Sequence, residues 1–228
     1  MTPSQILESL RGGLIASCQP VRGGPLDGSH LVSALALATL EGGAVGLRLE
    51  GTRDVRATRA LTQTPLIGLV KREEPGTEVY ITPRLEDVLE LLELGVDIVA
   101  FDATARPRPV EVARMVQAVH AAGGLAMADV STFQEGLAAW QAGADLVGTT
   151  LSGYTPYSKA LEGPDLELVR QLAGAGVRTV AEGRIRTPQE ARAALEAGAY
   201  AVTVGSALTR LEVVTRSFVD ALAVSHAR

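Results

Sequence analysis

The stretch Val180-Ala181-Glu182-Gly183-Arg184-Ile185, followed about two dozen residues later by Val202-Thr203-Val204-Gly205-Ser206-Ala207, has the layout of a barrel's last two strand-to-loop turns. The first segment places a carboxylate and a glycine just past a short apolar run. The second offers unhindered Gly205 and Ser206 backbone N–H groups ahead of a helix, whose N-terminus favours an anion. Together they predict a phosphate-binding end.

Working outward, short apolar runs alternate with longer stretches of helical periodicity, in the order strand, loop, helix and without hairpin signals. That order implies parallel strands. Eight are expected: Gly13 to Ser17, Ala44 to Leu49, Leu66 to Val70, Ile98 to Phe101, Leu125 to Ala128, Leu146 to Gly148, Thr179 to Ala181 and Ala201 to Val204. Self-similar joins precede several of them. In Leu40-Glu41-Gly42-Gly43-Ala44-Val45, Leu94-Gly95-Val96-Asp97-Ile98-Val99, Gln141-Ala142-Gly143-Ala144-Asp145-Leu146 and Glu196-Ala197-Gly198-Ala199-Tyr200-Ala201, a helix is stopped by a left-handed glycine and the chain enters the next strand. The expected architecture is an α/β fold, a single (β/α)8 TIM barrel spanning residues 1–228 as one domain. An open doubly wound sheet is the alternative, but no Gly-x-Gly-x-x-Gly follows the first strand to mark a dinucleotide site.

Composition agrees. A chain of 228 residues with 46% hydrophobic and only 4% aromatic content can bury a large aliphatic core. A net charge of −5 and no long basic run argue against a nucleic-acid tracker or a protein held on anionic lipid. Cys18 is the one cysteine, so an internal disulfide framework and a Cys-cluster metal site are excluded, which fits a reducing compartment. Met1 to Leu10 carries Glu8 and has no extended apolar core, and nowhere do about 18 uncharged apolar residues run together. The expected location is the cytoplasm.

In a barrel, chemistry sits where strands end. Polar residues follow every apolar run: Ser17, Cys18 and Gln19; Arg48 and Glu50; Lys71 and Arg72; Asp102 and Thr104; Asp129 and Ser131; Thr149, Thr150 and Ser152; Glu182 and Arg184; Gly205 and Ser206.

With these residues assembled, the chain resembles the N-acetylmannosamine-6-phosphate 2-epimerases, phosphate-binding barrels that act on small sugar phosphates. The resemblance runs through Gly12-Gly13-Leu14-Ile15-Ala16-Ser17-Cys18-Gln19, Val70-Lys71-Arg72, Met127-Ala128-Asp129-Val130-Ser131-Thr132, Gly148-Thr149-Thr150-Leu151-Ser152-Gly153-Tyr154-Thr155, Ala181-Glu182-Gly183-Arg184-Ile185 and Val204-Gly205-Ser206-Ala207-Leu208-Thr209-Arg210. It implies interconversion of N-acetylmannosamine 6-phosphate and N-acetylglucosamine 6-phosphate, a step in sialic acid and amino-sugar catabolism. It also implies that Lys71 and Glu182 are catalytic, that Gln19, Arg48 and Asp129 contact the sugar, and that Gly183, Gly205, Ser206 and Arg210 hold the phosphate.

Epimerising C2 of an acetamido sugar means removing and returning a proton on a carbon next to the open-chain aldehyde, which needs a base, an acid and an oxyanion stabiliser. A lysine at its reference pKa of about 10.4 is a poor base near neutrality, so burial and nearby cations, Arg72 or Arg48, are expected to lower it. Two arrangements stay open: neutral Lys71 takes the proton while Glu182 acts on the sugar oxygens, or the two serve opposite faces of C2. No metal and no cofactor are expected, because His30, His120 and His226 form no ligand spacing and arginine and lysine can stabilise an enediolate. The expected partners are the small-molecule sugar phosphate and a second copy of the chain, with no nucleic acid and no membrane.

Competing readings exist for several positions. Lys71 is also the residue a Schiff-base aldolase would use, and a silent sugar-phosphate sensor would keep only the phosphate turn. Arg48 is a candidate buried partner of Glu50, and Asp129 a candidate cap for the following helix. Cys18 reads as a small buried hydrophobe, Trp140 and Met115 as core or interface, and Arg106 with Arg108 as shaping a loop over the site. Glu73 and Glu74, which replace the family's usual Asp-Tyr, read as solvated, and Leu211 replaces a usual proline. Between Glu212 and Ala223 an apolar stripe of Val213, Val214, Phe218, Val219 and Leu222 packs either on its own barrel or on a partner.

Overall fold

The computed structural model describes residues 1–223, so His226 lies outside the described residues. The chain runs α1 (Pro3–Leu10), β1 (Leu14–Cys18), α2 (Ser29–Glu41), β2 (Gly46–Glu50), α3 (Thr52–Arg59), β3 (Leu66–Leu69), α4 (Leu85–Glu93), β4 (Ile98–Asp102), α5 (Val112–Ala121) and β5 (Leu125–Asp129). It continues through α6 (Phe133–Gln141), β6 (Leu146–Gly148), α7 (Leu166–Gly174), β7 (Thr179–Glu182), α8 (Pro188–Glu196), β8 (Ala201–Val204), the single turn α9 (Ser206–Thr209) and α10 (Leu211–Ala223). The eight strands pair in sequence order, all parallel, and β8 closes on β1. This is the expected (β/α)8 TIM barrel.

Several strands run one residue further than expected. Cys18, Glu50, Asp102, Asp129 and Glu182 are the last residues of their strands, because the parallel ladder continues through them, as in the Asp102–Asp129 and Glu182–Thr203 pairs. β3 stops earlier instead. The Val70 N–H donates to Thr82 Oγ1 (3.2 Å) and Lys71 forms an antiparallel bridge with Ile81, so a short return segment takes over there. The glycines that stop helices before β2, β4, β6 and β8 are left-handed as expected: Gly43, Gly95, Gly143 and Gly198 have φ between 83° and 102°.

Side-chain alternation along the strands determines what the barrel holds. Ile15, Ile67, Leu69, Ile98, Ala100, Leu125, Met127, Leu146, Val180 and Ala201 form one interior cluster, closed at the strand starts by Ile6 and Leu10 of α1. Stepping on by two along the same face reaches Ser17 on β1, Asp129 on β5, Thr150 beyond β6, Glu182 on β7 and Thr203 on β8. The interior is therefore apolar where strands begin and polar where they end. The intervening residues, such as Leu47, Leu49, Val99, Phe101, Val147, Val202 and Val204, pack outward under the helices.

Candidate active site

The floor of the site is an ion cluster drawn from three strands. Arg48 on β2 is 1% exposed and reaches across the barrel to Asp129 on β5, with Nη2–Oδ2 at 2.6 Å and Nη1–Oδ1 at 3.2 Å. The same Nη1 lies 3.1 Å from Glu182 Oε2 on β7. Burial opposes the Arg48 charge, but Asp129 and then Glu182 outweigh it, so the guanidinium stays protonated. The alternative pairing of Arg48 with Glu50 does not occur. The guanidinium crosses the barrel, whereas Glu50 stays at the β2–β3 edge, taking the Lys71 N–H (3.4 Å) and a contact with exposed Arg22. Nor does Asp129 cap α6, a task carried by Thr132 and Glu135 in a reciprocal box.

Lys71 stands at the end of β3, half-buried, with Nζ donating to Gln19 Oε1 at 2.7 Å. Gln19 in turn donates through Nε2 to Ser17 Oγ at 3.0 Å, which fixes the amide and therefore the amine. Burial holds the Lys71 pKa below its ordinary value; Arg48 and Arg210 push the same way, against Glu50 and Glu182. Arg72, one of the two expected cations, is not among these groups. Its guanidinium turns outward to Asp87 (2.7 Å).

Glu182, its side chain 13% exposed, is the group whose protonation is most altered. Burial pushes its carboxyl up to about 7, helped by the charge on Asp129 and opposed by Arg48, a hydrogen bond with Thr150 and Lys71. One guanidinium facing two carboxylates leaves a surplus negative charge, and the cheapest place for a proton is the carboxyl nearest the cavity.

Above this floor lies a cavity of about 270 Å³ that both Lys71 and Glu182 line. Gln19, Gly183, Gly205, Ser206 and Arg210 line the same cavity, while Arg48 and Asp129 lie beneath it. Gly183 has φ 109°, a conformation that a side chain would strain. Arg210 donates Nε to the Gln19 carbonyl (2.8 Å), tying the start of α10 to the loop after β1.

Two lining residues, Thr203 and Arg186, were not singled out by sequence, and a third, Thr150, only as a polar strand end. Thr150 contacts both carboxylates, Thr203 has a buried Oγ1 without a hydrogen-bond partner among the described residues, and Arg186 opens onto the cavity. The strand-face alternation marks Thr150 and Thr203; nothing local marks Arg186. Arg184 also lines the cavity, but its guanidinium is engaged by the chain. It donates to the Gly163 (2.8 Å) and Ser152 (2.7 Å) carbonyls and stacks over Tyr154 at 5.2 Å, clamping the loop after β6.

The other expectations resolve as follows. Arg106 and Arg108 converge on Asp102 and pin the segment after β4 rather than lining the cavity. Cys18 is buried, and burial pushes its thiol up to about 11, so it behaves as a small apolar group. Met115 is core, and Trp140 is half-buried under the Arg178 guanidinium at 5.4 Å. Glu73 is exposed, but Glu74 is not solvated: its side chain is 10% exposed and meets Arg84 at 2.5 Å, which holds its carboxyl below the ordinary range. Leu211 is exposed and begins α10. Among the described residues no group of three or more His, Cys, Asp or Glu side chains is placed to hold a metal ion.

Comparison with known proteins agrees with this geometry. A family model described as "Putative N-acetylmannosamine-6-phosphate epimerase" matches residues 32–224. A "Putative N-acetylmannosamine-6-phosphate 2-epimerase" of Yersinia pseudotuberculosis serotype O:3 (strain YPIII) is 53% identical over 219 residues, covering 96% of this chain and 94% of its own. A solved structure of the N-acetylmannosamine-6-phosphate 2-epimerase from Clostridium perfringens superposes with a TM-score of 0.92 at 43% identity, over 94% of this chain and 95% of that one. Deoxyribose phosphate aldolase from Aeropyrum pernix, with a TM-score of 0.64 at 19% identity over 94% of this chain and 99% of its own, shares the fold alone. The chain belongs to the N-acetylmannosamine-6-phosphate epimerase family.

Proposed function

We propose that this chain interconverts N-acetylmannosamine 6-phosphate and N-acetylglucosamine 6-phosphate by proton transfer at C2, serving sialic acid and amino-sugar catabolism. The observation that carries this reading is that Lys71 and Glu182, 111 positions apart in the chain, open onto one cavity that Gly183, Gly205, Ser206 and Arg210 also line.

The phosphate end is recognised by backbone N–H groups of Gly183, Gly205 and Ser206, with Arg210 adding charge. Gln19 orients Lys71 and meets the sugar, while Arg48 and Asp129 fix Glu182 from below. In the open-chain aldose the amine of Lys71 takes the C2 proton, and the electrons of the broken C–H bond move onto the carbonyl oxygen at C1. Glu182, held protonated by burial, returns a proton to the opposite face of C2 and becomes a carboxylate. The resulting ammonium and carboxylate are the pair that the reverse direction requires. Opposing shifts, Lys71 down and Glu182 up, suit this exchange, because they bring the two groups' proton affinities toward one another.

Incubating the protein with N-acetylmannosamine 6-phosphate and following the products by NMR is expected to give N-acetylglucosamine 6-phosphate, and the same equilibrium mixture from the other side. No conversion in either direction overturns the proposal. Borohydride trapping is expected to give no covalent adduct with Lys71; an adduct would favour the aldolase reading.

The same reading extends to assembly and location. α10 has no buried residue, and Val213, Phe218, Val219 and Leu222 are all exposed on it, an apolar face that a second copy would cover in a homodimer. No helix among the described residues is long and apolar enough to cross a membrane, and a charged sugar phosphate is a cytoplasmic substrate.

A further inference from the structure

We propose that Thr150 is a positioning residue whose hydroxyl hydrogen is shared between Asp129 and Glu182 and swings from one to the other as Glu182 gains or loses its proton. The inference rests on the reading of Glu182 as a proton-transfer group.

The geometry is specific. Thr150 Oγ1 lies 2.6 Å from Asp129 Oδ1 and 3.2 Å from Glu182 Oε2, and a hydroxyl has one hydrogen to give. With Glu182 protonated, Asp129 is the only full carboxylate in the cluster and takes that hydrogen, in addition to both Arg48 nitrogens. With Glu182 ionised, the surplus charge lies on its oxygens, which among the described residues otherwise have Arg48 Nη1 at 3.1 Å, and rotation about one bond delivers the hydrogen there. Either way a carboxylate keeps a donor as the proton moves, so the fixed cluster need not rearrange.

The chain makes room for this bridge. A Cβ added at Gly148 would come within 2.9 Å of both Asp129 Oδ1 and Thr150 Oγ1, and within 2.6 Å of Met127 Cε. Glycine at the end of β6 is thus what lets the Thr150 hydroxyl sit between the two acids. The charged or titratable groups bearing on Glu182 are Arg48 from β2, Asp129 from β5 and Lys71 after β3. Thr150 is the neutral donor among them, so it can follow the charge without adding to it.

The test is the pH profile. The hydroxyl serves a carboxylate in both protonation states, but the cluster carries one more negative charge when Glu182 is ionised, so loss of the donor costs that state more and raises the pKa of the pair. In Thr150→Val, the limb of the kcat/KM profile governed by the carboxyl pair is expected to move up by about one pH unit from its position in the parent. In the same variant kcat is expected to fall about tenfold with KM within about threefold, since the hydroxyl serves the transfer more than the binding. Thr150→Ser restores the hydroxyl and is expected to recover the parent limb; Thr150→Ala removes it without adding bulk and reports the same shift if the valine variant folds poorly. A profile that superimposes on the parent in the valine and alanine variants overturns the inference, as does a serine variant shifted as far as they are. The underlying reading is tested separately. Undiminished formation of the C2 epimer by Glu182→Gln would overturn the role of Glu182 itself, whereas a Glu182→Gln that forms no epimer together with an unmoved Thr150→Val profile overturns only the swing.

Discussion

The two ends of the cavity are built on opposite plans. Around Gly183, Gly205 and Ser206 recognition is a matter of backbone, supplied by two consecutive strand ends and available to any anion of suitable size. Around Lys71 and Glu182 it is a matter of side chains from β2, β3, β5 and β7, each holding another: Gln19 on Lys71, Arg48 on Asp129 and Glu182. In the proposed reaction the first set anchors the substrate without altering any protonation, and the second carries the shifted groups. Substitutions at the two ends are therefore expected to separate into different kinetic parameters.

The largest effect is expected at the side-chain end. Lys71→Ala should lower kcat by roughly 10³-fold or more, within or beyond the range usual for a general base, with unfolding unchanged within about 1 kcal/mol. A small loss would break the contrast at once. Next is Arg48→Met, which leaves Asp129 and Glu182 facing each other unpaired. A loss of about 3–5 kcal/mol in urea-unfolding stability is expected, because a buried charge is costly once its partner is gone. At the backbone end, Gly183→Ala should raise KM about tenfold while leaving kcat within about threefold, since strain at φ 109° costs about 1–2 kcal/mol and displaces the N–H groups facing the phosphate.

How much of each end was legible in the sequence follows from the same contrast. The backbone end is local: a glycine after a strand and a Gly-Ser pair before a turn are readable in a dozen letters. The strand order, the glycine helix stops and the candidates Lys71 and Glu182 are legible for that reason too, as each is a strand plus its next residue. What joins the side-chain end is not local. Arg48 meets Asp129 at a separation of 81 residues and Glu182 at 134, and only barrel closure determines which strand-end charges face each other. So neighbouring Glu50 offers Arg48 a competing partner that it does not take, Arg210 rather than Arg72 joins Arg48 beside Lys71, and Glu74, which reads as solvated, is covered by Arg84. Thr150 was visible as a polar strand end, but its value depends on two acids that sequence alone does not bring together.

A smaller effect sharpens the contrast through pH. Glu182 binds its proton more tightly in the folded chain than in the unfolded one, with a folded pKa of about 7 against an ordinary 4.5. Between those values the folded state carries the extra proton, so stability falls as pH rises through the window and levels off above it. Glu182→Gln cannot ionise and is expected to lose that slope, leaving it more stable than the parent at pH 8 in urea titrations and inactive. A parent slope of the opposite sign, retained in the variant, would show that the carboxyl is an ordinary exposed acid. The smallest effect on turnover is expected far from both ends. Phe218→Ser on α10 should shift the sedimentation profile toward monomer while leaving kcat within about twofold.

The most direct measurement is the fate of the C2 proton in heavy water. With the parent protein, deuterium is expected at C2 of the N-acetylglucosamine 6-phosphate formed, and at C2 of recovered N-acetylmannosamine 6-phosphate; Lys71→Ala is expected to lose both, and Glu182→Gln to form no labelled N-acetylglucosamine 6-phosphate while Lys71 still exchanges the proton on its own face. Conversion with C2 still fully protonated from the start of the reaction, or labelled N-acetylglucosamine 6-phosphate formed at the parent rate by either variant, would contradict the claim that these two side chains exchange the proton at one carbon.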